Sequence, residues 1–136
     1  DTFQNSKLQW HLLGEGQHQV MLDYYKTLIR LRKSLPALNI LDRKNLEVEV
    51  DEQAQTLVLR RWQGQQQVVC CMNFSDDQRD VKLPDSAQNW FLMLASAGKA
   101  WGGTSEGHLT AKGFSNILLP PESATLYTNM QVAIKV

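Results

Sequence analysis

The sequence has few cysteines, no excess of charge of either sign and no long apolar run. Among its 136 residues are two cysteines, and 14 Lys and Arg balance 14 Asp and Glu. Zero net charge, with both signs mixed along the chain, removes the electrostatic basis for nonspecific binding to nucleic acids or membrane surfaces. The longest apolar run covers only residues 90–95, far short of the roughly 20 residues that span a bilayer. We therefore expect no nucleic-acid partner and no membrane association.

The two cysteines, Cys70 and Cys71, are neighbours in a predicted strand. Adjacent strand side chains point to opposite faces, so a disulfide between them would need a distorted backbone. We interpret both as buried free thiols, which indicates a reducing compartment and a cytoplasmic location. Because no Cys/His cluster has metal-ligand spacing, we expect no metal and no cofactor.

Sequence signatures of catalysis are also missing. There is no H-E-x-x-H pair, no phosphate-binding loop and no nucleophile elbow. The scattered His11, His18 and His108 are interpreted as solvated or capping side chains. The acidic residues within 47–52 lie on a predicted edge strand, where charge discourages edge-to-edge pairing, rather than flanking a cleft as glycosidic acids must. We predict no catalytic residue in the chain.

What the sequence does contain is, first, a helical pattern at residues 17–35. Apolar side chains recur three and four residues apart, for example at Tyr24, Leu28 and Leu31, and Pro36 ends the pattern. Because the apolar stripe is wider than one face, we expect this helix to have neighbours on two sides. Residues 1–13 show no clean period and are predicted to form a loop.

From residue 42 onward the apolar period changes to two. Short apolar segments about ten residues apart, separated by turn residues, predict an antiparallel β-sandwich of seven or eight strands. The segment 46–50 is predicted to be an edge strand whose Glu47 and Glu49 form its one wet face. A lone helix before a complete sandwich indicates the end of a preceding domain. Since the first residue is Asp1 rather than Met, we expect the chain to be a piece of a longer one.

Trp101 lies in a glycine-rich segment, directly before Gly102 and Gly103. A large aromatic ring in such a loop can stack on a sugar, which makes Trp101 a candidate sugar contact and the chain a possible carbohydrate-binding module for α-glucan. The alternative is that the ring folds back onto the core, since leaving a large apolar side chain exposed forfeits roughly 1.5–3 kcal/mol.

Five segments follow one another in the β region: LVLRR at 57–61, VVCCMNFSD at 68–76, VKLP at 81–84, WGG at 101–103 and LPPESA at 119–124. Their order and spacing resemble those of the C-terminal β-domain of glycoside hydrolase family 13, the α-amylase family. The segment at 24–33, ahead of Pro36, is similar to the last barrel helix of that family, and residues 2–10 are similar to the loop before that helix in its trehalohydrolase branch.

This resemblance implies a mainly β fold, a Greek-key antiparallel β-sandwich preceded by one amphipathic α-helix. It implies that residues 1–41 are the end of a truncated (β/α)8 barrel, a loop plus the last helix at 17–35, and that residues 42–136 are the C-terminal sandwich. The family's catalytic Asp, Glu and second Asp lie in the earlier barrel and have no matching positions here. The chain would therefore be a non-catalytic support for a glycosidase that acts on α-glucans or trehalose-capped malto-oligosaccharides.

The same resemblance implies a partner for the chain and the residues that would contact it. The partner is the missing barrel of the same polypeptide, and Lys7 and Trp10 would lie in a loop at its rim. Without the barrel, the outer helix face would be exposed, so we also expect the fragment to self-associate through it. The predicted interdomain face consists of Met21, Tyr25, Leu28 and Arg32.

Overall fold

The chain folds into helical segments followed by eight β-strands within residues 2–132, the part that the computed structural model describes. Residue 1 and residues 133–136, which the predicted domain ranges include, lie outside it. The helices are α1 (Thr2–Asn5), α2 (Gly16–Ser34) and α3 (Pro36–Asn39), with 3-10 turns at Trp10–Gly14, Arg43–Asn45 and Lys99–Trp101. The strands are β1 (Leu46–Asp51), β2 (Thr56–Gln63), β3 (Gln66–Asn73), β4 (Arg79–Lys82), β5 (Trp90–Ala95), β6 (Thr110–Ala111), β7 (Asn116–Leu119) and β8 (Ser123–Thr128).

The strands form two antiparallel sheets. Six of them lie in the order β1-β2-β3-β8-β5-β6, and β4 pairs with β7 in a second sheet. The chain leaves the large sheet after β3 to form β4, returns to it with β5 and β6, and leaves again for β7; β8 then lies between β3 and β5. This arrangement confirms the predicted mainly antiparallel sandwich preceded by an α-helix.

The main core lies between the two sheets, on what we call the inner face of the large sheet. Val69, Cys71 and Tyr127 from the large sheet pack there against side chains of the small one, because alternate residues of a strand share a face. Trp90 is fully buried in this core, and its indole Nε1 donates a hydrogen bond to the Pro84 carbonyl at 3.1 Å. A polar partner satisfies the indole N–H, so the ring can be buried completely.

Helix α2 covers part of the opposite, outer face of the large sheet. Leu31 of α2 and Leu35, the residue directly after the helix, are almost completely buried and pack with Leu94 of β5. A bulge between Leu92 and Leu94 breaks the register of β5 with β8. The small sheet covers one face of β5 and β8, and α2 covers the other. Both strands therefore carry apolar residues on both faces.

The N-terminal segment and the edge strand differ from expectation. Residues 1–13, predicted to form a loop, contain α1 and part of the turn Trp10–Gly14. Strand β1 is an edge strand as predicted, but the expectation of a single wet face is wrong. Leu46, Val48 and Val50 are 38%, 48% and 63% exposed, because no helix of the described chain covers this end of the outer face.

A buried asparagine closes the end of β3. The Asn73 side-chain amide donates to the carbonyls of Asp77 at 2.7 Å and Pro120 at 2.9 Å. Its side-chain oxygen accepts from the backbone N–H of Ser75 at 2.9 Å and from the Ser75 hydroxyl at 2.7 Å. One side chain thus satisfies polar groups of the turn after β3 and of the turn before β8.

We expect Asn73→Ala to lower the free energy of unfolding by about 2–4 kcal/mol, because it leaves several buried polar groups without partners. Urea unfolding of the purified chain measures this. Asn116→Ala, at an exposed position of β7, is the control and should change the value by less than about 0.5 kcal/mol. Equal effects of the two substitutions would contradict the role given to Asn73.

Three weakly acidic groups make the fold sensitive to alkali: the thiol of Cys71 and the phenol of Tyr127, which are buried, and the thiol of Cys70, which is half-buried rather than buried as predicted. Burial raises the pKa of Cys70 to about 11 and the pKa values of Cys71 and Tyr127 to about 12. These pKa values lie above those of an unfolded chain, so the folded state holds more protons at alkaline pH. The resulting stabilisation is complete below the unfolded pKa values and is lost as the pH rises toward the folded ones.

The free energy of unfolding should therefore fall between about pH 8.5 and pH 11. Urea unfolding at pH 7.5, 9 and 10.5 checks this. Cys71→Val removes one titrating group, so its stability should fall less steeply over the same interval. A wild-type free energy of unfolding that does not change with pH would refute this explanation.

Candidate functional site

The row of α2 that faces the sheet is apolar and well packed. Tyr24, Leu28, Leu31 and Leu35 are spaced three and four residues apart and meet the outer face. Such residues share one side of a helix. This row attaches the helix to the sandwich.

Next to this row the helix exposes a second apolar surface, which we call the helix flank: Met21, Tyr25 and Ile29. These side chains are 55%, 58% and 53% exposed. Each of the three directly follows a residue at or near the buried row. Because successive residues of an α-helix are about 100° apart around its axis, the flank lies to one side of that row.

The opposite side of α2 is polar. Asp23, Thr27 and Arg30 each precede a position at or near the buried row and are rotated about 100° the other way. Only one flank of the helix is therefore apolar, which restricts where a second neighbour can pack.

The structure separates the four residues predicted for the interdomain face. Met21, Tyr25 and Arg32 are exposed, whereas Leu28 is half-buried and packs toward the sheet with Leu31 and Leu35. Ile29, which the sequence analysis did not include, is exposed next to Tyr25 along the flank.

Lys7 and Trp10 lie in the segment before α2 and face solvent. The Lys7 ammonium is 5.1 Å from the centroid of the Phe3 ring. Trp10 is 69% exposed and begins the 3-10 turn that contacts α2. Trp101 lies in the 3-10 turn after β5, and α2 contacts both this turn and the turn Trp10–Gly14.

Trp101 folds back onto the helix. Its ring is half-buried and meets Tyr24 edge to face, with ring centroids 5.1 Å apart and planes at 74°. The glycines permit this tight loop: Gly102 has φ +85°, and a Cβ at Gly103 would lie 2.1 Å from the Ala97 carbonyl oxygen. The geometry favours the packing interpretation over a freely presented stacking ring.

An open cleft of about 450 Å³ lies beside the Trp101 loop. Leu92 and Leu109 contribute apolar walls, and Lys99 forms an ion pair with Glu106 at its edge. The cleft holds one carboxylate, already paired with a lysine, whereas glycosidic hydrolysis uses two facing carboxylates.

Within residues 2–132, no three His, Cys, Asp or Glu side chains come together as metal ligands could. None of the helices in that range is both long and apolar enough to cross a membrane.

A second apolar surface, which the sequence did not predict, lies on the outer face of β1 and β2. We call Leu46, Val48, Val50, Leu57 and Leu59 the sheet patch; its three residues on β1 are exposed and its two residues on β2 are half-buried. In the antiparallel register Val48 lies opposite Leu59, and Val50 lies opposite Leu57. The alternation of apolar residues was visible in the sequence, but nothing in it showed that this part of the face stays uncovered.

Known proteins with similar sequences are much longer than this chain. The malto-oligosyltrehalose trehalohydrolase of Rhizobium sp. (strain M-11) is 39% identical over 96 residues, which are 71% of this chain and 15% of that protein. The trehalohydrolase of Deinococcus radiodurans is 37% identical over 95 residues, 68% of this chain and 16% of that protein. The 1,4-alpha-glucan branching enzyme GlgB of Pseudomonas aeruginosa is 30% identical over 111 residues, 76% of this chain and 15% of that protein.

Solved structures share the fold. A mutant of MutB, a trehalulose synthase, superposes with a TM-score of 0.60 at 20% identity and covers 78% of this chain and 17% of its own. The isomaltulose synthase of Klebsiella sp. LX3 superposes with a TM-score of 0.57 at 21% identity, over 79% of this chain and 17% of its own. No protein-family model matches the chain.

The sandwich, the helix packed on its outer face and these similarities define the C-terminal β-domain of an α-amylase-type enzyme. The chain belongs to glycoside hydrolase family 13. Within that family its sequence is similar to the malto-oligosyltrehalose trehalohydrolases, and it spans 15–16% of the length of the first two of them.

We expect Trp101→Ala to lower the free energy of unfolding by about 1–3 kcal/mol, because it removes a half-buried ring from the contact with Tyr24. Urea unfolding of the purified chain measures this effect. Trp10→Ala, at an exposed tryptophan, is the control and should change the value by less than about 0.5 kcal/mol.

The same proteins discriminate packing from sugar binding. If Trp101 serves packing, titration with maltoheptaose to millimolar concentration leaves the tryptophan fluorescence unchanged. A saturable change that Trp101→Ala abolishes and Trp10→Ala retains would instead establish a carbohydrate-binding module.

Proposed function

We propose that this chain is the non-catalytic β-domain of a longer family 13 glycosidase and that it stabilises the catalytic barrel by covering one side of it. In this proposal residues 1–41 belong to the end of the barrel and residues 42–136 form the sandwich. The observation that carries it is the helix flank. An exposed row of large apolar side chains lies directly beside a buried row on the same helix.

The helix flank supports this role energetically. Complete burial of a side chain such as Met21, Tyr25 or Ile29 stabilises by about 1.5–3 kcal/mol relative to full exposure, and each is already partly covered. The remaining gain is therefore a few kcal/mol for the three. Because α2 is already attached to the sheet, burial of its flank against a barrel would also fix the orientation of the sandwich.

The proposed activity belongs to the longer polypeptide. The relatives are named for trehalohydrolase and 1,4-alpha-glucan branching activity, so we propose an α-glucan or a trehalose-capped malto-oligosaccharide as substrate. Hydrolysis of a glycosidic bond requires two carboxyl groups held on either side of it. We place that pair in the part of the polypeptide outside this chain.

The purified chain should hydrolyse neither maltooligosyl trehalose nor malto-oligosaccharides. Release of trehalose and of reducing ends measures the activity, with the Rhizobium sp. trehalohydrolase as the positive control. Turnover by the chain itself, retained through further purification, would overturn the assignment as a non-catalytic domain.

The supporting role is tested in a chimera in which this chain replaces the matching segment of the Rhizobium sp. trehalohydrolase. The chimera should be active and should unfold at a higher temperature than the enzyme that lacks the segment. Tyr25→Lys should lower that temperature, whereas Thr27→Lys, on the polar flank, should not. A chimera no more stable than the truncated enzyme would contradict the proposed function.

A further inference from the structure

No segment within residues 2–132 covers the β1 side of the sheet patch, although it belongs to the same face that α2 covers elsewhere. Every residue of β1 is exposed, and β1 has one neighbour in the sheet, β2. Val48 and Val50 are 48% and 63% exposed, and they adjoin Leu59 and Leu57 on the next strand. An edge strand usually limits exposed apolar area with charge or by being short, whereas β1 presents an apolar row to solvent.

The exposed apolar surface continues beyond the strands. Ile40 and Leu41, directly after α3, are exposed. The Arg61 guanidinium Nη2 donates a hydrogen bond to the Ile40 carbonyl at 2.8 Å, and Arg61 lies opposite Leu46 in the sheet register. The patch therefore extends from β1 past Arg61 to the end of α3. Contiguous apolar surfaces of this kind mark sites where another protein segment packs.

Arg61 adds a charge requirement to this surface. Its Nε is buried and has no hydrogen-bond partner within residues 2–132, and none of the ion pairs found there includes it. Arg60, on the opposite face, meets Glu47 at 3.4 Å and Gln67 at 2.9 Å. A guanidinium is always charged and has five N–H donors. The Arg61 guanidinium is half-buried and has one carbonyl acceptor, so it is suited to bind a carboxylate that lies outside the described residues.

A second copy of the chain does not meet this requirement. In a symmetric dimer the same patch lies on both partners. Each Arg61 would then face an apolar surface that carries another arginine and no carboxylate. Pairing of two β1 edges would bring Glu47, Glu49 and Asp51 of one copy beside those of the other, which is unfavourable.

The remainder of the polypeptide is the better occupant. The alignment with the Rhizobium sp. relative covers 71% of this chain but 15% of that protein, so such a polypeptide has ample further structure to cover the patch. We propose that the sheet patch docks against the rest of the same polypeptide, on an apolar surface bearing a carboxylate that pairs with Arg61. This inference rests on the proposed function and extends it from the helix flank to the sheet.

The test uses the chimera with the Rhizobium sp. enzyme and two pairs of matched variants. Val48→Lys and Glu49→Lys are neighbours on opposite faces of β1, and Arg61→Met and Arg60→Met are neighbours on opposite faces of β2. Each variant is made in the chimera and in the isolated chain, and the thermal unfolding midpoint is measured in both. The isolated chain separates a loss of docking from a loss of folding.

Val48→Lys and Arg61→Met should lower the midpoint of the chimera by several degrees while changing the isolated chain much less. Glu49→Lys and Arg60→Met should change the chimera no more than the isolated chain. The loss caused by Arg61→Met should shrink in high salt, because it removes an ion pair.

The other outcomes decide against the inference. If Tyr25→Lys destabilises the chimera and the sheet-patch variants do not, the proposed function stands and the docking of the sheet patch is wrong. If the wild-type chimera is no more stable than the enzyme that lacks the segment, both the proposed function and the docking of the sheet patch are wrong. If the isolated chain dimerises in sedimentation experiments and Val48→Lys makes it monomeric without affecting the chimera, the patch binds a second copy instead.

Discussion

The structure depends on one constraint, namely that the large sheet is apolar on both faces and must be covered twice. The small sheet covers the inner face, where Tyr127 and Trp90 are buried, and α2 covers part of the outer face through Leu31 and Leu35. Loss of either layer would expose a core-sized apolar surface to water. The helix is therefore a structural layer of the sandwich, and its exposed flank is the surface proposed to meet another domain.

Polar groups determine how the ends of the sandwich close. Asn73 links the turn after β3 to the turn before β8, and Trp90 is buried with its N–H bonded to the Pro84 carbonyl. These contacts add specificity, because a misregistered strand would leave buried donors and acceptors without partners. The glycines of the Trp101 loop act similarly, since they let the chain fold closely enough for Trp101 to reach Tyr24.

The proposed role of the chain depends on the apolar surface that the small sheet and α2 leave uncovered. The helix flank and the β1 residues of the sheet patch are apolar and exposed, and Arg61 adds a charge with one hydrogen-bond acceptor in the described chain. A domain that supports another one needs surfaces of this kind, and it needs no reactive group of its own. The proposed role therefore follows from the distribution of apolar area, in a chain that belongs to a family of carbohydrate-active enzymes.

The sequence alone determined the helix at its observed position and the antiparallel sandwich, because apolar spacing and turn residues are local properties of the chain. The order of its strand segments indicated the family by resemblance. The helix was predicted over 17–35 and lies at Gly16–Ser34. Only the tertiary structure decided which apolar residues are covered. Leu28 packs inward although it was predicted to face a neighbouring domain, whereas Val48 and Val50 are exposed. Alternation assigns a side chain to a face of a strand or helix, but whether that face is buried depends on where another layer packs, which contacts distant in sequence determine.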